Sequence, residues 1–531
     1  MTTGILPKIE SLSLRQLIGQ MIVVRTSGHL FDHERSYPQW ETDQQTLQRW
    51  LRDDAIGGVI LLGGSAAEIS LKTAQLQSWA EIPLLIAADI EEGVGQRFSG
   101  ATWFPPPMAL GEIWRKDEKL AIALAEEMGA ITAKEALGIG INWVLAPVMD
   151  VNNNPKNPVI NVRAFGETPE QVAALGTAFI RGAQQYPALT TAKHFPGHGD
   201  TAADSHVDLP TIDQPIERLN QIEIPPFQAA IATDVDTVMT AHLMIPAWDD
   251  KQPATLSKNI LTGQLRETLN FQGLIVTDAL MMGGVTTFAE PAEVAVQAIE
   301  AGADILLMPP DVELAIAAIE TAIKTGRLNE ARLRESVTRI FQAKQKCQTT
   351  PTANFPKSIE PNKTKKTVQQ ILTASTRHSN ERSFLPSFDQ PTAQNLIVVD
   401  SLLKSDFLKL NSPAIAIPQR HGYQPLLLEH NQVKALQLQQ QPTLVQFFVR
   451  GNPFAGAIID PAETLKFIAE RTQIVGICFY GSPYYFKDTV KNYVTVSCYS
   501  TYGQMAIAQY KLCQTLWSPQ SPQSLESSEF T

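Results

Sequence analysis

Eight short apolar runs, each followed by a polar or glycine-rich loop and then by a longer helical pattern, fill the first 345 residues of this 531-residue chain. The runs are continuous and rich in valine, isoleucine and leucine, as is typical of parallel strands buried on both faces. They are LIGQMIVVR (17–25), GGVILLGG (57–64), LLIAADI (84–90), INWVLAPVMD (141–150), LTTAKHF (189–195), TVMTAHLM (237–244), GLIVTDAL (273–280) and ADILLMP (303–309).

Helical patterns such as DEKLAIALAEEMGAITAKEAL (117–137) and PEQVAALGTAFIRGAQQ (169–185) separate these runs. Eight alternating strand and helix units favour an α/β fold with a closed (β/α)8 barrel of the TIM type over an open doubly wound sheet. A dinucleotide-binding sheet is the weaker alternative because no G-x-G-x-x-G follows the first strand.

The composition of the chain changes after the eighth unit. KCQTTPTANFPKSIEPNKTKK is polar and contains three prolines, which predicts a linker over 346–366. VQQILTAST (368–376) predicts a helix, and strand-like runs follow at NLIVVD (395–400), PAIAIP (413–418), TLVQFFVRG (443–451) and TQIVGICFYGSP (472–483). We therefore predict a barrel domain over 1–345, a smaller C-terminal α/β domain over 367–516, and a disordered tail over 517–531.

Charge and cysteine usage exclude several classes of protein. The formal net charge of −11 argues against nucleic-acid and anionic membrane partners. No apolar run approaches the roughly 20 residues that cross a bilayer, and the first residues do not resemble a secretory signal. The four cysteines form no C-x-x-C pair, so neither a disulfide framework nor a zinc site is indicated. We expect a cytoplasmic protein.

Polar residues follow the predicted strands at the points where the strands end. They are Asp89 and Arg97 after strand three, Asp150 and Arg163 after strand four, Lys193 and His194 at the end of strand five, His242 after strand six and Asp278 after strand seven. Because the carboxyl ends of barrel strands form one mouth, this convergence predicts a functional site there. Each residue also has a structural interpretation: Asp278 as a helix cap, Asp150 as a loop cap, Arg163 as a surface ion-pair partner, and His242, by preference, as a core histidine.

The stretch KHFPGHGDTAADSH (193–206) allows two interpretations. Its histidines and aspartates could form a metal site from His194, His198, Asp200, Asp204 and His206. The proline and glycines within it break any helix that would align such ligands, and no H-E-x-x-H motif supports a metal, so neither a metal nor another cofactor is expected. Asp204 and His206 are instead spaced for a carboxylate to orient an imidazole that transfers a proton.

The longer segment KHFPGHGDTAADSHVDLP (193–210) resembles the signature of glycoside hydrolase family 3, specifically its β-N-acetylhexosaminidase branch. Supporting segments extend the resemblance over about residues 10–345: AADIEEGVGQRF (87–98), NPVINVRAFGETPE (157–170), VMTAHLMIPAWD (238–249), PATLSKNILTGQLRETLNFQGLIVTDALMM (253–282) and AGADILLMP (301–309). The resemblance implies a retaining, exo-acting enzyme that removes terminal β-linked N-acetylglucosamine, from peptidoglycan-derived fragments, through a covalent glycosyl-enzyme.

The resemblance also implies a role for each site residue. Asp278 would be the nucleophile, His206 the general acid and base, and Asp204 its orienting partner. The residues that would hold the sugar are Asp89, Arg97, Arg163, Lys193 and His194. The expected partner is a small carbohydrate substrate. Glu92 and Val94 stand where the family pattern has a glycine and an arginine, which puts the shape of that loop in question.

Three alternatives stay open from the sequence. The chain could be a β-glucosidase-type or a phosphorolytic member of the same family. It could belong to a different class, as an inactive carbohydrate-binding protein. A metal-dependent hydrolase is the third alternative, and it needs the ligand set that the loop disfavours.

Overall fold

The computed structural model describes residues 6–35, 37–201, 209–348, 355, 357, 359–378, 384–399, 401–402, 405, 408–435, 438–449, 461–481, 494–498 and 505–517. The chain forms two compact units, one of residues 1–103 and 114–365 and the other of residues 104–113 and 366–531. Helix occupies both ends of the stretch expected to be a linker, since one helix continues to Gln348 and the next begins at Pro361. The boundaries expected at 345, 367 and 516 stay predictions.

The first unit contains eight short parallel strands that pair in chain order around a barrel, with β8 returning to β1. The strands are β1 (Ile22–Ser27), β2 (Gly58–Leu62), β3 (Leu85–Ala88), β4 (Trp143–Val144), β5 (Leu189–Phe195), β6 (Thr237–Thr240), β7 (Leu274–Val276) and β8 (Leu306–Leu307). A bridge between Val276 and Ile305 connects β7 to β8. Each predicted run overlaps one of these strands, so the (β/α)8 prediction is confirmed.

Helices alternate with the strands along the chain. Up to residue 348 they are α1 (Leu14–Gln20), α2 (Gln44–Arg49), α3 (Ala66–Trp79), α4 (Met108–Trp114), α5 (Glu118–Gly138), α6 (Pro169–Ala183), α7 (Ile216–Ile222), α8 (Ile224–Ala232), α9 (Gly283–Thr286), α10 (Pro291–Ala301), α11 (Val312–Lys324) and α12 (Glu330–Gln348), with π-helices at Trp50–Asp54 and Asn259–Thr268. No helix in the described part of the chain combines the length and apolar character needed to cross a bilayer.

Two glycines allow α5 and α6 to pack closely. A Cβ atom on Gly129 would lie 2.0 Å from the carbonyl oxygen of Phe179, and one on Gly182 would lie 1.8 Å from that of Glu126. Both helices begin with a capping side chain, Asp117 for α5 and Thr168 for α6, which satisfies a free backbone N–H group. The capping residues set where the helices begin, and the glycines set how near they lie.

The barrel interior contains a small polar network. The indole N–H of buried Trp143 on β4 donates to the hydroxyl of Thr191 on β5 at 2.9 Å. The hydroxyl of Thr237 on β6 donates to the same Thr191 oxygen at 2.6 Å. Because the buried indole has partners, a large aromatic side chain fills the barrel without leaving its N–H unsatisfied.

The second unit contains a six-stranded sheet in the order β11-β10-β12-β13-β14-β9, in which only β9 is antiparallel to its neighbour. Its strands are β9 (Arg377–His378), β10 (Ala393–Val399), β11 (Tyr423–Glu429), β12 (Pro442–Val449), β13 (Gln473–Gly481) and β14 (Val494–Cys498), and its helices are α13 (Pro361–Ser375), which begins in the first unit, α14 (Pro413–Arg420), α15 (Pro461–Ala469) and α16 (Met505–Thr515). The parallel strands have the 2-1-3-4-5 order of a doubly wound sheet, and apolar clusters cover both faces. The smaller α/β domain is confirmed.

The strand predicted at PAIAIP (413–418) is wrong, because this segment is α14. Pro413 occupies the first helical turn, where its missing N–H costs nothing, and Ala414, Ile415 and Pro418 form the buried side. A short apolar run cannot distinguish a strand from a buried helix by itself. The neighbouring strand is β11, an edge strand that contains Pro425.

At the end of the barrel where its strands begin, buried Asp304 binds three arginine side chains. Its carboxylate accepts hydrogen bonds from Arg266 at 2.7 Å and from Arg332 and Arg339 at 3.3 Å. The same carboxylate also accepts from the backbone N–H of Ile275 on β7 at 3.0 Å. One fully buried charge therefore connects a barrel strand to the π-helix and to α12.

Replacing Asp304 with alanine should destabilise the protein by about 3 kcal/mol, because three part-buried cations lose their shared, fully buried counter-ion. Urea unfolding followed by tryptophan fluorescence measures this loss. Glu335→Ala is the matched control, since Glu335 is 56% exposed and pairs with the same Arg339. We expect at most about 1 kcal/mol for the control. Equal losses in the two variants would contradict the assignment.

Candidate active site

The ends of β3 and β5 meet in a buried ion pair. Lys193 lies near the end of β5 with its side chain 1% exposed, and its Nζ lies 2.7 Å from Asp89 Oδ1 and 2.6 Å from Glu91 Oε1. Burial lowers the pKa of an ammonium group, but the two carboxylates outweigh burial and raise the pKa of Lys193. Lys193 is therefore charged and fixed in one position at the barrel mouth.

Arg163, from the loop after β4, joins this pair through Glu91. Its Nε and Nη2 atoms donate to the two Glu91 oxygens at 2.9 and 2.7 Å, a bidentate arrangement. Burial would raise the pKa of Glu91, but Arg163 and Lys193 hold that pKa well below its usual range. Arg163 Nη1 also donates to the Val159 carbonyl at 3.1 Å, which fixes the guanidinium on its own loop.

Asp150 follows β4 and is fully buried. It binds His194 and His198, the two histidines in the first part of the 193–206 stretch. One Asp150 oxygen lies 2.8 Å from His194 Nδ1, and the other accepts the backbone N–H groups of His194 at 3.1 Å and His198 at 2.7 Å. Burial would raise the pKa of Asp150, but His194 and His198 keep it below its usual range. An ionised Asp150 only accepts, so His194 donates from Nδ1 and presents Nε2 towards Arg163, 3.5 Å away.

His198 does not have the properties of a proton carrier near neutral pH. Burial lowers its pKa to about 4, which keeps the ring neutral over the range in which most enzymes work. Its Nδ1 lies 2.9 Å from the Thr201 hydroxyl. His198 therefore stabilises the loop.

The Asn157 side chain fixes the backbone of the same loop. Its amide nitrogen donates to the carbonyls of His198 and Gly199 at 2.8 and 2.9 Å, and its oxygen accepts the N–H groups of Val159 and Ile160 at 2.8 Å. One buried side chain thus joins the loops after β4 and β5.

Asp278 follows β7, on the opposite side of the barrel from β3. Its Oδ1 accepts the backbone N–H of Ala279 at 2.8 Å, and its side chain is part-exposed at the mouth. His242, after β6, lies 3.1 Å from the Ala279 carbonyl through Nε2 and 2.8 Å from the Thr255 hydroxyl through Nδ1. His242 is a satisfied buried histidine that supports the turn bearing Asp278.

The loop after β3 keeps Arg97 beside Asp89, since Arg97 Nε donates to the Asp89 carbonyl at 3.0 Å. The two departures from the family pattern are buried on this loop. Glu92 accepts the indole N–H of Trp103 at 2.8 Å, and Val94 is 0% exposed. Gly93 between them has a φ of 87°, which favours glycine, so the turn is formed with these residues in place.

The structure thus brings Asp89, Arg163, Lys193 and His194 into one connected cluster, with Arg97 on its edge. Asp204 and His206 lie outside the described residues. The described residues on either side of them are attached to the barrel mouth. On one side, Asn157 Nδ2 donates to the Thr201 hydroxyl at 3.2 Å. On the other side, Thr211 pairs with Met244, which follows β6.

The described half of the 193–206 stretch is arranged as a hydrogen-bonded network, with His194 and His198 meeting edge-on at 6.3 Å between ring centroids. Among the described residues, a group of possible ligand atoms within 4.8 Å of one another occurs elsewhere, at His29, Glu34 and Glu68.

Sequence reasoning missed Glu91 and Asn157. Glu91 stands two residues after Asp89 in the same acidic run, so its spacing was the available signal. The role of Asn157 depends on two loops meeting, which no local pattern reveals.

Two family models match the chain: the Glycosyl hydrolase family 3 N terminal domain over residues 13–343 and the Bacterial Glycosyl hydrolase family 3 C-terminal domain over residues 387–518. The chain belongs to glycoside hydrolase family 3. A beta-hexosaminidase A from Pseudoalteromonas piscicida is 37% identical over 322 residues, which is 55% of this chain and 53% of that protein. This chain thus spans about half the length of that relative.

Other family 3 relatives match over more of their length. A beta-hexosaminidase from Nitrosomonas eutropha is 33% identical over 57% of this chain and 88% of that protein. A solved family 3 beta-N-acetylglucosaminidase from Paenibacillus sp. is 29% identical, with a TM-score of 0.77, 95% of this chain covered and 97% of that one. The fold likeness to this family 3 structure extends over both units.

Glu91 allows a test of the charged cluster. Above the pKa of an unfolded glutamate, about 4.3, Glu91 contributes its full stabilisation. This contribution is lost as the pH falls towards the much lower pKa of Glu91 in the fold. Glu91→Gln should therefore cost about 3 kcal/mol at pH 7 and progressively less below about pH 4. Unfolding free energies of the wild type and the variant between pH 3 and 7 measure the difference.

Exposed Glu335→Gln is the control for this pH series, with a small difference at every pH. A Glu91→Gln difference that does not change with pH would show that Glu91 does not act through its charge.

Proposed function

We propose that this chain is a retaining, exo-acting β-N-acetylhexosaminidase that removes terminal β-linked N-acetylglucosamine. The observation that carries the proposal is the charged cluster of Asp89, Glu91, Lys193, Arg163 and His194, which shares the barrel mouth with Asp278. Fixed donors and acceptors on one side and a part-exposed carboxylate on the other suit a ligand with many hydroxyl groups and one reactive carbon.

The cluster offers groups of both kinds to sugar hydroxyls. Asp89 is 35% exposed, so its carboxylate can accept from a sugar while Lys193 holds it in place. His194 presents Nε2, and Arg163 donates from a guanidinium fixed by Glu91. Because these groups are held by each other, binding requires little rearrangement.

Asp278 is the proposed nucleophile. The N–H of Ala279 orients its carboxylate, and His242 in turn holds the Ala279 carbonyl. A sugar held by the cluster would place its anomeric carbon at Asp278, which follows β7 at the same mouth. Attack forms a bond between an Asp278 oxygen and that carbon while the bond to the aglycone oxygen breaks.

His206 is the proposed acid and base, and Asp204 its orienting partner. In the first step His206 gives a proton to the departing aglycone oxygen. In the second it takes a proton from the water that attacks the anomeric carbon, which releases Asp278 and retains configuration. The attachments of Thr201 and Thr211, the described residues on either side, to the loops after β4 and β6 support the assignment.

The activities named for the relatives support N-acetylglucosamine as the cleaved sugar. Two are beta-hexosaminidases and a third is a beta-N-acetylglucosaminidase. We also propose peptidoglycan-derived fragments as the source of the substrate and the cytoplasm as the site of action, as predicted from the sequence.

Two experiments test the proposal: a comparison of two substrates and a substitution of the nucleophile. Purified protein should release 4-nitrophenol from 4-nitrophenyl β-N-acetylglucosaminide faster than from the matching β-glucoside, and the rate should not depend on phosphate. Asp278→Asn should lower kcat by at least about a thousandfold, since the covalent route is removed. Asp53→Asn, at an exposed pair with Arg52, is the control and should retain activity.

Three results would contradict the proposal. A β-glucosidase would prefer the glucoside, and a phosphorolytic enzyme would yield sugar-1-phosphate at a phosphate-dependent rate. A carbohydrate-binding protein would bind the sugar without cleaving it.

His206→Ala tests the acid. Loss of the proton donor should slow cleavage of N,N′-diacetylchitobiose by about 100-fold or more, because a sugar alkoxide leaves poorly without protonation. Release of 4-nitrophenol, a good leaving group, should be slowed less in the glycosylation step, which pre-steady-state kinetics isolates. Equal slowing for both aglycones would remove His206 from the acid role.

A further inference from the structure

The loop between β1 and α2 displays a stacked pair of aromatic side chains. The ring centroids of Tyr37 and Trp40 lie 5.5 Å apart, with 20° between the ring planes. Tyr37 is 42% exposed and Trp40 is 46% exposed. Single exposed aromatic residues are ordinary, but two nearly parallel, stacked rings that are both exposed form an apolar surface in contact with water.

Buried polar contacts hold this pair in place. Glu41, which is 2% exposed, accepts the backbone N–H of Tyr37 at 3.2 Å and the guanidinium of Arg25 at 3.3 Å. The Arg25 guanidinium carbon lies 5.1 Å from the Tyr37 ring centroid and 5.7 Å from that of Trp40, within cation–π range. The N–H of Thr42 donates to the Arg25 carbonyl at 3.3 Å, which attaches the loop to β1. The surface is preorganised.

The position of the loop relates it to the cleaved bond. Only β8 separates β1 from β7, and neighbouring strands lie about 4.8 Å apart, so this loop leaves the barrel wall about 10 Å from the strand of Asp278. Lys193 and His194 of the charged cluster lie on the other flank of Asp278, since only β6 separates β5 from β7. A sugar gripped there with its anomeric carbon at Asp278 directs its aglycone away from the cluster, towards the side that carries Tyr37 and Trp40.

We propose that Tyr37 and Trp40 bind a pyranose ring of the aglycone, so that the protein favours substrates whose leaving group is itself a sugar. This inference rests on the proposed function. A pyranose ring has a face of C–H groups that packs against aromatic rings, while its hydroxyl groups stay in water at the edge of the mouth. The loop spans residues 28–43, whereas connections of this kind usually have about 2 to 6 residues. Long loops of this kind are typical of binding sites.

The test compares two substrates that share the cleaved sugar. N,N′-diacetylchitobiose carries a sugar aglycone and methyl β-N-acetylglucosaminide carries a methyl group, and both leave as aliphatic alcohols. In Trp40→Ala, kcat/KM for the disaccharide should fall about fivefold to tenfold, while that for the methyl glycoside stays unchanged. Tyr37→Ala should act in the same direction. Trp40→Phe should retain most of the preference, because a flat ring is kept.

Leu71→Ala on α3 is the control, since Leu71 is 61% exposed and apolar but lies on a surrounding helix. It should change neither rate. Thermal unfolding of each variant checks that the fold is retained. Equal changes for the two substrates in Trp40→Ala, or no change in the Tyr37→Ala/Trp40→Ala double variant, would overturn the proposal.

Failure of the proposed function can be distinguished from failure of the inference about Tyr37 and Trp40. If the wild type cleaves neither substrate, the hydrolase assignment fails, and isothermal titration with N,N′,N″-triacetylchitotriose tests the surface directly. Weaker binding of the trisaccharide to Trp40→Ala than to the wild type would support the aromatic platform. Equal binding would overturn it.

Discussion

The buried ammonium group of Lys193 is the constraint on which the barrel mouth depends. A cation removed from water costs several kcal/mol unless opposite charges compensate it. Asp89 and Glu91 provide that compensation, and Glu91 in turn requires Arg163. Because these residues come from the ends of β3 and β5 and from the loop after β4, satisfying one charge positions three segments of the chain.

Buried polar groups also fix the loop that follows β5. Asp150 uses both oxygens on His194 and His198, and Asn157 uses its amide nitrogen on the carbonyls beyond them. A carboxylate without these donors would be costly to bury, so the loop has one arrangement in which every partner is present. His194 is therefore held in one orientation and one tautomer before any sugar binds.

Periodicity and the rules of barrel folds predicted much of this structure. Continuous apolar runs identified all eight barrel strands, and the rule that strand ends form the mouth selected Asp89, Lys193, His194 and Asp278. The Glu91 contacts were not predictable, because a glutamate in an acidic loop has the same local pattern whether it faces water or a buried lysine. PAIAIP failed for a related reason: six apolar residues suit a strand or a helix, and the position of Pro413 in the first turn decides.

An aspartate bound by cationic side chains lies at each end of the barrel, but the two aspartates differ in exposure. At the end where the strands begin, Asp304 is 0% exposed and binds three arginines, a serine hydroxyl and a backbone N–H, so its acceptor capacity is used within the protein. At the mouth, Asp89 binds Lys193 but is 35% exposed. A saturated carboxylate can only stabilise the fold, whereas a carboxylate fixed on one side and open on the other can also bind a ligand. The difference in exposure, more than the presence of charge, distinguishes the site from the structural cluster.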